Sequence, residues 1–196
     1  MMNQKIERWR ERRKQLILDR SGQFEVLSDS YLDRFAGIAA YPYQQELRVP
    51  ATISITPGDT AELARMKSLG IPQVYEDVAR ISFGLEGKTY NSVLLSEGSG
   101  YLLTFSDLTV DQQNIPKNYS PRFLYIPMLG SATEIFIDFN LAYLPPCAFS
   151  DRFNCPLPPA SNRYLTAISA GERAVLYTES TPQAERLPDS SLTSCS

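Results

Sequence analysis

ARISFGLEGKTYNSVLLSEGSGYLLTF, residues 79–105, decides the fold. It reads as three strands, 79–85, 89–96 and 101–105. Glu86-Gly87 joins the first two as a tight hairpin, and Glu97-Gly98-Ser99-Gly100 joins the next pair. Upstream, Leu47, Val49, Ala51, Ile53 and Ile55 alternate with polar neighbours, the mark of a half-buried strand. Pro50 lies inside this run and predicts an edge position or a bulge, because proline has no N–H for a ladder. Further strands are expected over 122–128, 132–138, 164–170 and 174–178. Short strands with short turns and no regular helices between them argue for a mainly β chain, an antiparallel barrel-like or sandwich-like domain. They argue against a doubly wound parallel sheet.

Around this centre the pattern changes. Residues 4–19 read as an N-terminal α-helix, with Ile6, Trp9, Leu16 and Ile17 on one side and Arg13 interrupting the stripe. Trp9, the only tryptophan, is expected to pin the helix to the body. Pro57-Gly58-Asp59 reads as a turn and 60–68 as a short helix. Residues 106–121 form a long polar loop, a length that in compact domains goes with function or disorder. Residues 1–178 are expected to make one domain, and 179–196, almost without apolar residues and carrying Cys195, a disordered tail.

Composition excludes several chemistries. The 196 residues contain no histidine, so a Ser-His-Asp triad, a Cys-His dyad and any His-ligated metal are impossible within the chain. Three cysteines are too few for a zinc cage without carboxylate help. The net charge of −3 gives no reason to expect nucleic acid as a partner. Residues 1–20 are nevertheless basic, with seven Lys or Arg against three Asp or Glu. The favoured reading is a helix with a solvated basic face docked on an acidic body. No run is apolar enough for a membrane span, and no apolar signal region follows the first residues, so a cytoplasmic location is the expectation.

The stretch 138–173 is the richest in rigid turns and special side chains. It contains DFN-x-A-Y-x-PPCAF, then CPLPP, then Asn162-Arg163, then Ala170-Gly171-Glu172. This block resembles the signature of the bacterial family known as domain of unknown function 1684. Arg34-Phe35-x-Gly37 with Tyr41-Pro42, Phe105-x-Asp107-x-Thr109, Arg122-Phe123-Leu124 and the opening Glu7-Arg8-Trp9-Arg10 with Arg13 are similar to further elements of that family. The chain departs from it in three ways. The section between the first helix and the Arg34-Phe35 stretch is short, Leu144 replaces the usual Asn before Pro-Pro, and Val110 replaces a common Gly. The resemblance implies a mostly β fold and a shared site, and no particular activity.

The candidate site residues are Arg34, Asp107, Arg122, Asp138, Asn140, Tyr143, Asn162, Arg163 and Glu172. Asp138 and Asn140 end the apolar run Ile135-Phe136-Ile137 and, at period two, share a face. They could hold a cation or a sugar hydroxyl, or satisfy the backbone of the Pro-Pro loop. Arg34, Arg122 and Arg163 each adjoin an aromatic residue. Each could grip a carboxylate or phosphate, or pair internally with Asp107, Asp138 or Glu172. Cys147 and Cys155 read either as a disulfide, worth about 2–3 kcal/mol by chain entropy, or as two buried thiols. A nucleophilic role for them would need Arg152 or Arg163 in place of the missing histidine. Asp138, Asn140, Asp107 and Glu172 form an oxygen-rich set that would suit Mg²⁺ or Ca²⁺, though their spacing does not require a metal.

Three function classes stay open. The favoured one is a small-molecule-binding β domain with a polar Arg/Asp/Tyr-lined cleft. The second is a His-free hydrolase or lyase, with or without a divalent metal, in which Asp138 or Glu172 is the catalytic base. The third is a structural or protein-interaction module. No cofactor or oligomeric state is legible in these residues.

Overall fold

The computed structural model describes residues 2–21, 25–55, 64–65, 72–73, 79–109, 121–128, 132–150, 152–153 and 155–178. The expected turn at Pro57-Gly58-Asp59, loop residues 110–120 and the tail 179–196 with Cys195 lie outside them. The helix expected over 60–68 is not formed where the chain is described. Ala64–Arg65 (β3) pairs instead with Pro72–Gln73 (β4) as a small antiparallel ladder.

The main sheet is antiparallel and follows the reading of 79–105. Ala79–Leu85 (β5), Lys88–Glu97 (β6) and Gly100–Phe105 (β7) are consecutive hairpin strands. Glu86 and Gly87 both have positive φ, +48° and +73°. That is the two-residue turn whose twist matches the flanking strands. Arg122–Pro127 (β8) adds beyond β7, while Arg48–Ile55 (β2) and then Glu134–Asp138 (β9) add beyond β5. The order is β8-β7-β6-β5-β2-β9, and the sheet curls into a half-barrel. β2 is therefore interior, which corrects the edge or bulge expected from Pro50. The β5 ladder on β2 begins only at Ala51, so Pro50 faces a partner strand on the β9 side alone and its missing N–H is tolerated.

The chain then closes what the sheet leaves open. β9 and β8 are the two edges, and the residues after β9 cross from one to the other. Tyr143 exchanges backbone bonds with Phe123 of β8, N–H to O in both directions at 2.8 Å. The crossing seals a core of Ile81, Phe83, Leu94, Leu103, Phe105, Phe139, Tyr164 and Ile168. On the outside, Val93, Leu95, Leu102 and Phe123 are covered by Tyr143, Cys147, Phe153 and Cys155. This second layer explains why every residue of β7 is buried, where a one-sided strand would alternate.

A third layer holds the N-terminus. Phe35–Ala40 (β1) and Glu172–Tyr177 (β10) form a separate antiparallel ribbon. Met2–Leu18 (α1) and the short Asp29–Leu32 (α2) precede it. Ile17 of α1 packs with Leu27, Leu144 and Phe149. Trp9 lies against Tyr143, ring centroids 6.4 Å apart. Leu16, expected on the buried stripe, is 62% exposed, because the helix turns Arg13 toward the body in its place. Residues 164–170, expected as a strand, form an irregular extended segment across one end of the half-barrel. Among the described residues, no helix is long and apolar enough to cross a membrane.

Candidate functional site

The crossing segment begins with Asp138, whose carboxylate accepts from the Asn140 backbone N–H at 3.0 Å and caps the 3-10 turn Phe139–Leu141. The turn ends the two-residue period, so the two side chains meet by bending, not by sharing a strand face. Asn140 is fully buried. Its amide donates to Asp138 Oδ1 at 2.8 Å and to the Gln44 carbonyl at 2.7 Å, while its Oδ1 accepts from the Gln44 N–H at 2.8 Å. An amide side chain thus imitates a backbone partner for Gln44.

Glu172 opens β10 beneath the crossing and is 1% exposed. Arg13 Nε donates to its Oε1 at 3.1 Å and Arg13 Nη2 to its Oε2 at 3.2 Å, a two-pronged pair reaching from α1. The Leu144 N–H donates to Oε2 at 2.8 Å, and Arg13 also donates to the Leu144 carbonyl at 3.0 Å. The same guanidinium stands 4.5 Å from the Tyr143 ring centroid. Burial pushes the Tyr143 phenol up to about 12, although the Arg13 charge pulls the other way.

Asp107 and Arg122 form a second buried pair, at the end of the half-barrel crossed by 164–170. Arg122 Nη2 donates to Asp107 Oδ2 at 2.8 Å and to the Ile168 carbonyl at 2.8 Å, and Nη1 donates to the Ala170 carbonyl. The guanidinium also stacks on Phe105, 5.0 Å from its centroid. Asp107 accepts in addition from Thr109 Oγ1 at 2.7 Å and the Ile168 N–H at 2.6 Å. Burial lowers the Arg122 pKa from its ordinary value, and the Asp107 charge opposes that shift.

Asn162 serves a fourth joint. The β6–β7 ladder holds only from Leu95 to Glu97 before the strands part. The Asn162 amide fills the gap, donating to the Val93 and Thr104 carbonyls at 2.8 Å each and accepting from the Val93 N–H at 2.9 Å.

The remaining candidates stand apart from these. Arg34 is exposed at the end of the ribbon, 3.5 Å from the Thr178 carbonyl. Arg163 is exposed, its Nε on the Pro158 carbonyl at 3.3 Å. Cys147 and Cys155 are thiols in the structure, both buried in the cluster outside β6–β8. Among the described residues, no three Cys, Asp or Glu side chains gather as metal ligands. Asp107, Asp138 and Glu172 sit in three separate joints, with Arg122, Asn140 and Arg13 as their respective partners. Arg13 and Gln44 were absent from the candidate set. Arg13 had a visible signal, a cation breaking an apolar helix stripe; Gln44 had none.

No curated protein matches the chain. It is similar to an uncharacterised protein from Haloarcula marismortui solved by solution NMR. The two share 28% identity over 87% of this chain and 93% of that one, with a TM-score of 0.63. The family described as "Protein of unknown function (DUF1684)" matches residues 33–173, a span that holds Asp107, Arg122, Asp138, Asn140 and Glu172 but not Arg13. The chain belongs to the DUF1684 family.

Proposed function

We propose that this chain is a non-catalytic binding domain whose motif side chains build its framework, with recognition left to its exposed surface. The observation that carries this reading is the internal pairing of Asp107, Arg122, Asn140, Asn162 and Glu172, all buried and all bonded to the protein itself. A ligand at any of them would have to displace an existing bond. Glu172 is a poor general base, because Arg13 and the Leu144 N–H already occupy both of its oxygens. A polar cleft shared by Arg122 and Arg163 has less support, since one is buried and the other exposed.

Native mass spectrometry of the full chain tests this reading, with wild type compared against Asp138→Asn and Glu172→Gln. Each is incubated with Mg²⁺, Ca²⁺ and a panel of small carboxylates and phosphates. The expected result is the same set of masses for all three proteins. A small molecule held by the wild type and lost from Asp138→Asn would overturn the reading in favour of a motif-lined cleft. Ester hydrolysis by the wild type that disappears in Glu172→Gln would overturn it in favour of an enzyme.

A further inference from the structure

We propose that the outer face of β9, β2, β5 and β6 is a carbohydrate-binding groove. The segment carrying Cys147 and Cys155 covers Val93, Leu95, Leu102 and Phe123 on the outer sheet, but leaves this part of it open. Register pairs Phe136 with Pro50 and Gly84 with Thr89, and the two couples flank the Ala51–Phe83 pair, so that they line up as one row just beyond the end of the β2–β5 ladder. The next row is Glu134, Thr52, Ser82 and Asn91. The first row is flat and largely apolar; the second is made of carboxylate, hydroxyl and amide groups.

The geometry fits a sugar in three respects. Phe136 is 57% exposed; the Arg48 guanidinium lies over one face of its ring, 4.1 Å from the centroid, which leaves the opposite face for a sugar. Gly84 leaves the floor open. A Cβ there would meet nothing nearer than the Lys88 carbonyl oxygen at 4.0 Å, and its backbone needs no positive φ. An open groove of about 610 Å³ results, lined by Phe136, Pro50, Gly84, Thr89 and Glu134. That volume is ordinary for a small-molecule site.

A pyranose has an apolar C–H face and a rim of hydroxyls. The negative face of an aromatic ring takes the first, and side chains that both donate and accept take the second. At the usual strand spacing the polar row is about 14 Å long, room for an oligosaccharide of about three units laid across the strands. A second copy of the chain fits less well. Phe136 and Pro50 are the large apolar side chains of these two rows, whereas stable protein interfaces bury about 1,200–2,000 Å² around an apolar centre.

This proposal rests on the reading that the motif side chains are committed to the framework, and the test separates the two. The full chain is titrated by NMR with cellohexaose, chitohexaose, xylohexaose and maltohexaose, each to the millimolar range. The proteins are wild type, Phe136→Ala, Gly84→Thr and Asp138→Asn. At least one probe is expected to bind saturably, with affinity at least about tenfold weaker in Phe136→Ala and Gly84→Thr and unchanged in Asp138→Asn. Gly84→Thr places a strand-favouring residue where there is room, so its melting temperature should hold or rise while binding falls. No saturable binding by any of the four sugars overturns the proposal, as does binding that neither Phe136→Ala nor Gly84→Thr weakens. A dimer that Phe136→Ala dissociates would assign the groove to self-association and also overturn it. Binding lost only in Asp138→Asn would instead overturn the framework reading.

Discussion

Replacing Arg122 by methionine isolates the energetics of the framework. The substitution keeps an unbranched apolar stem but removes the charge that faces Asp107 and the donors to the Ile168 and Ala170 carbonyls. Asp107 keeps Thr109 Oγ1 and the Ile168 N–H but is left as a buried charge without its cation. Breaking a buried pair from one side costs about 3–5 kcal/mol, and each carbonyl deprived of its donor adds about 1 kcal/mol. Losses overlap within one network, so a total of about 4–6 kcal/mol is expected. Urea unfolding at 25 °C reads this directly. At a slope of about 2 kcal/mol per molar, the midpoint should fall by about 2–3 M. The double variant Arg122→Met with Asp107→Leu removes the stranded charge and should recover part of the loss, because an ion pair exchanged as a unit for apolar groups is often neutral. A single variant within about 1 kcal/mol of wild type would refute the reasoning, since surface substitutions behave that way. So would a double variant as unstable as the sum of the two singles, because coupled neighbours do not add.

Two further outcomes follow from the same geometry. Tyr143 is neutral in the fold up to about 12 but ionises near 10 once unfolded. Between those values the unfolded state binds fewer protons, so stability present below pH 10 is lost as pH rises toward 12, by about 2–3 kcal/mol. Tyr143→Phe should lack that part of the alkaline loss in pH-dependent urea titrations; an unchanged profile would contradict the burial argument. Gly171 has φ +77°, and a Cβ there would lie 2.4 Å from the Ala142 carbonyl oxygen. Gly171→Ala is therefore expected to lose roughly 3 kcal/mol or more, or to fail to accumulate as soluble protein, because neither backbone can yield.

How much of this was legible in the sequence depends on whether the cause is local. The hairpins of 79–105 were readable, because alternation and turn residues act within a few positions. β10 was readable as the strand expected over 174–178, but β1 and its pairing with β10 were not. FAGIAA offers small residues and no alternation, and its partner β10 stands near the other end of the chain. Residues 164–170 misled for a physical reason. Tyr164, Thr166, Ile168 and Ala170 alternate inward like a strand. Their backbone bonds go to single residues of the 106–108 stretch and to Arg122, so no ladder forms. Among the candidate residues, the Asp138–Asn140 contact was accessible from turn chemistry, and Arg122 with Asp107 was one of the pairings open to it. Glu172 with Arg13 joins residues 159 apart and leaves no local trace beyond the cation in the helix stripe.

The departure at Leu144 shows what the framework asks of each position. An Asn before Pro-Pro invites the idea of a polar side chain at the site, and leucine there would then be a defect. In the fold, the polar work at this position belongs to the backbone: the Leu144 N–H donates to Glu172 and its carbonyl accepts from Arg13. The side chain points away from that joint into the cluster of Ile17, Leu27 and Phe149. Leucine therefore adds apolar contact to α1 without subtracting a bond from the joint. A fully buried leucine gains about 1.5–3 kcal/mol over an exposed one, whereas a buried amide at the same place would need partners that a cluster of Ile17, Leu27 and Phe149 does not offer. The exchange tightens the grip of the helix that carries Arg13, and so reinforces the Glu172 joint from the opposite side.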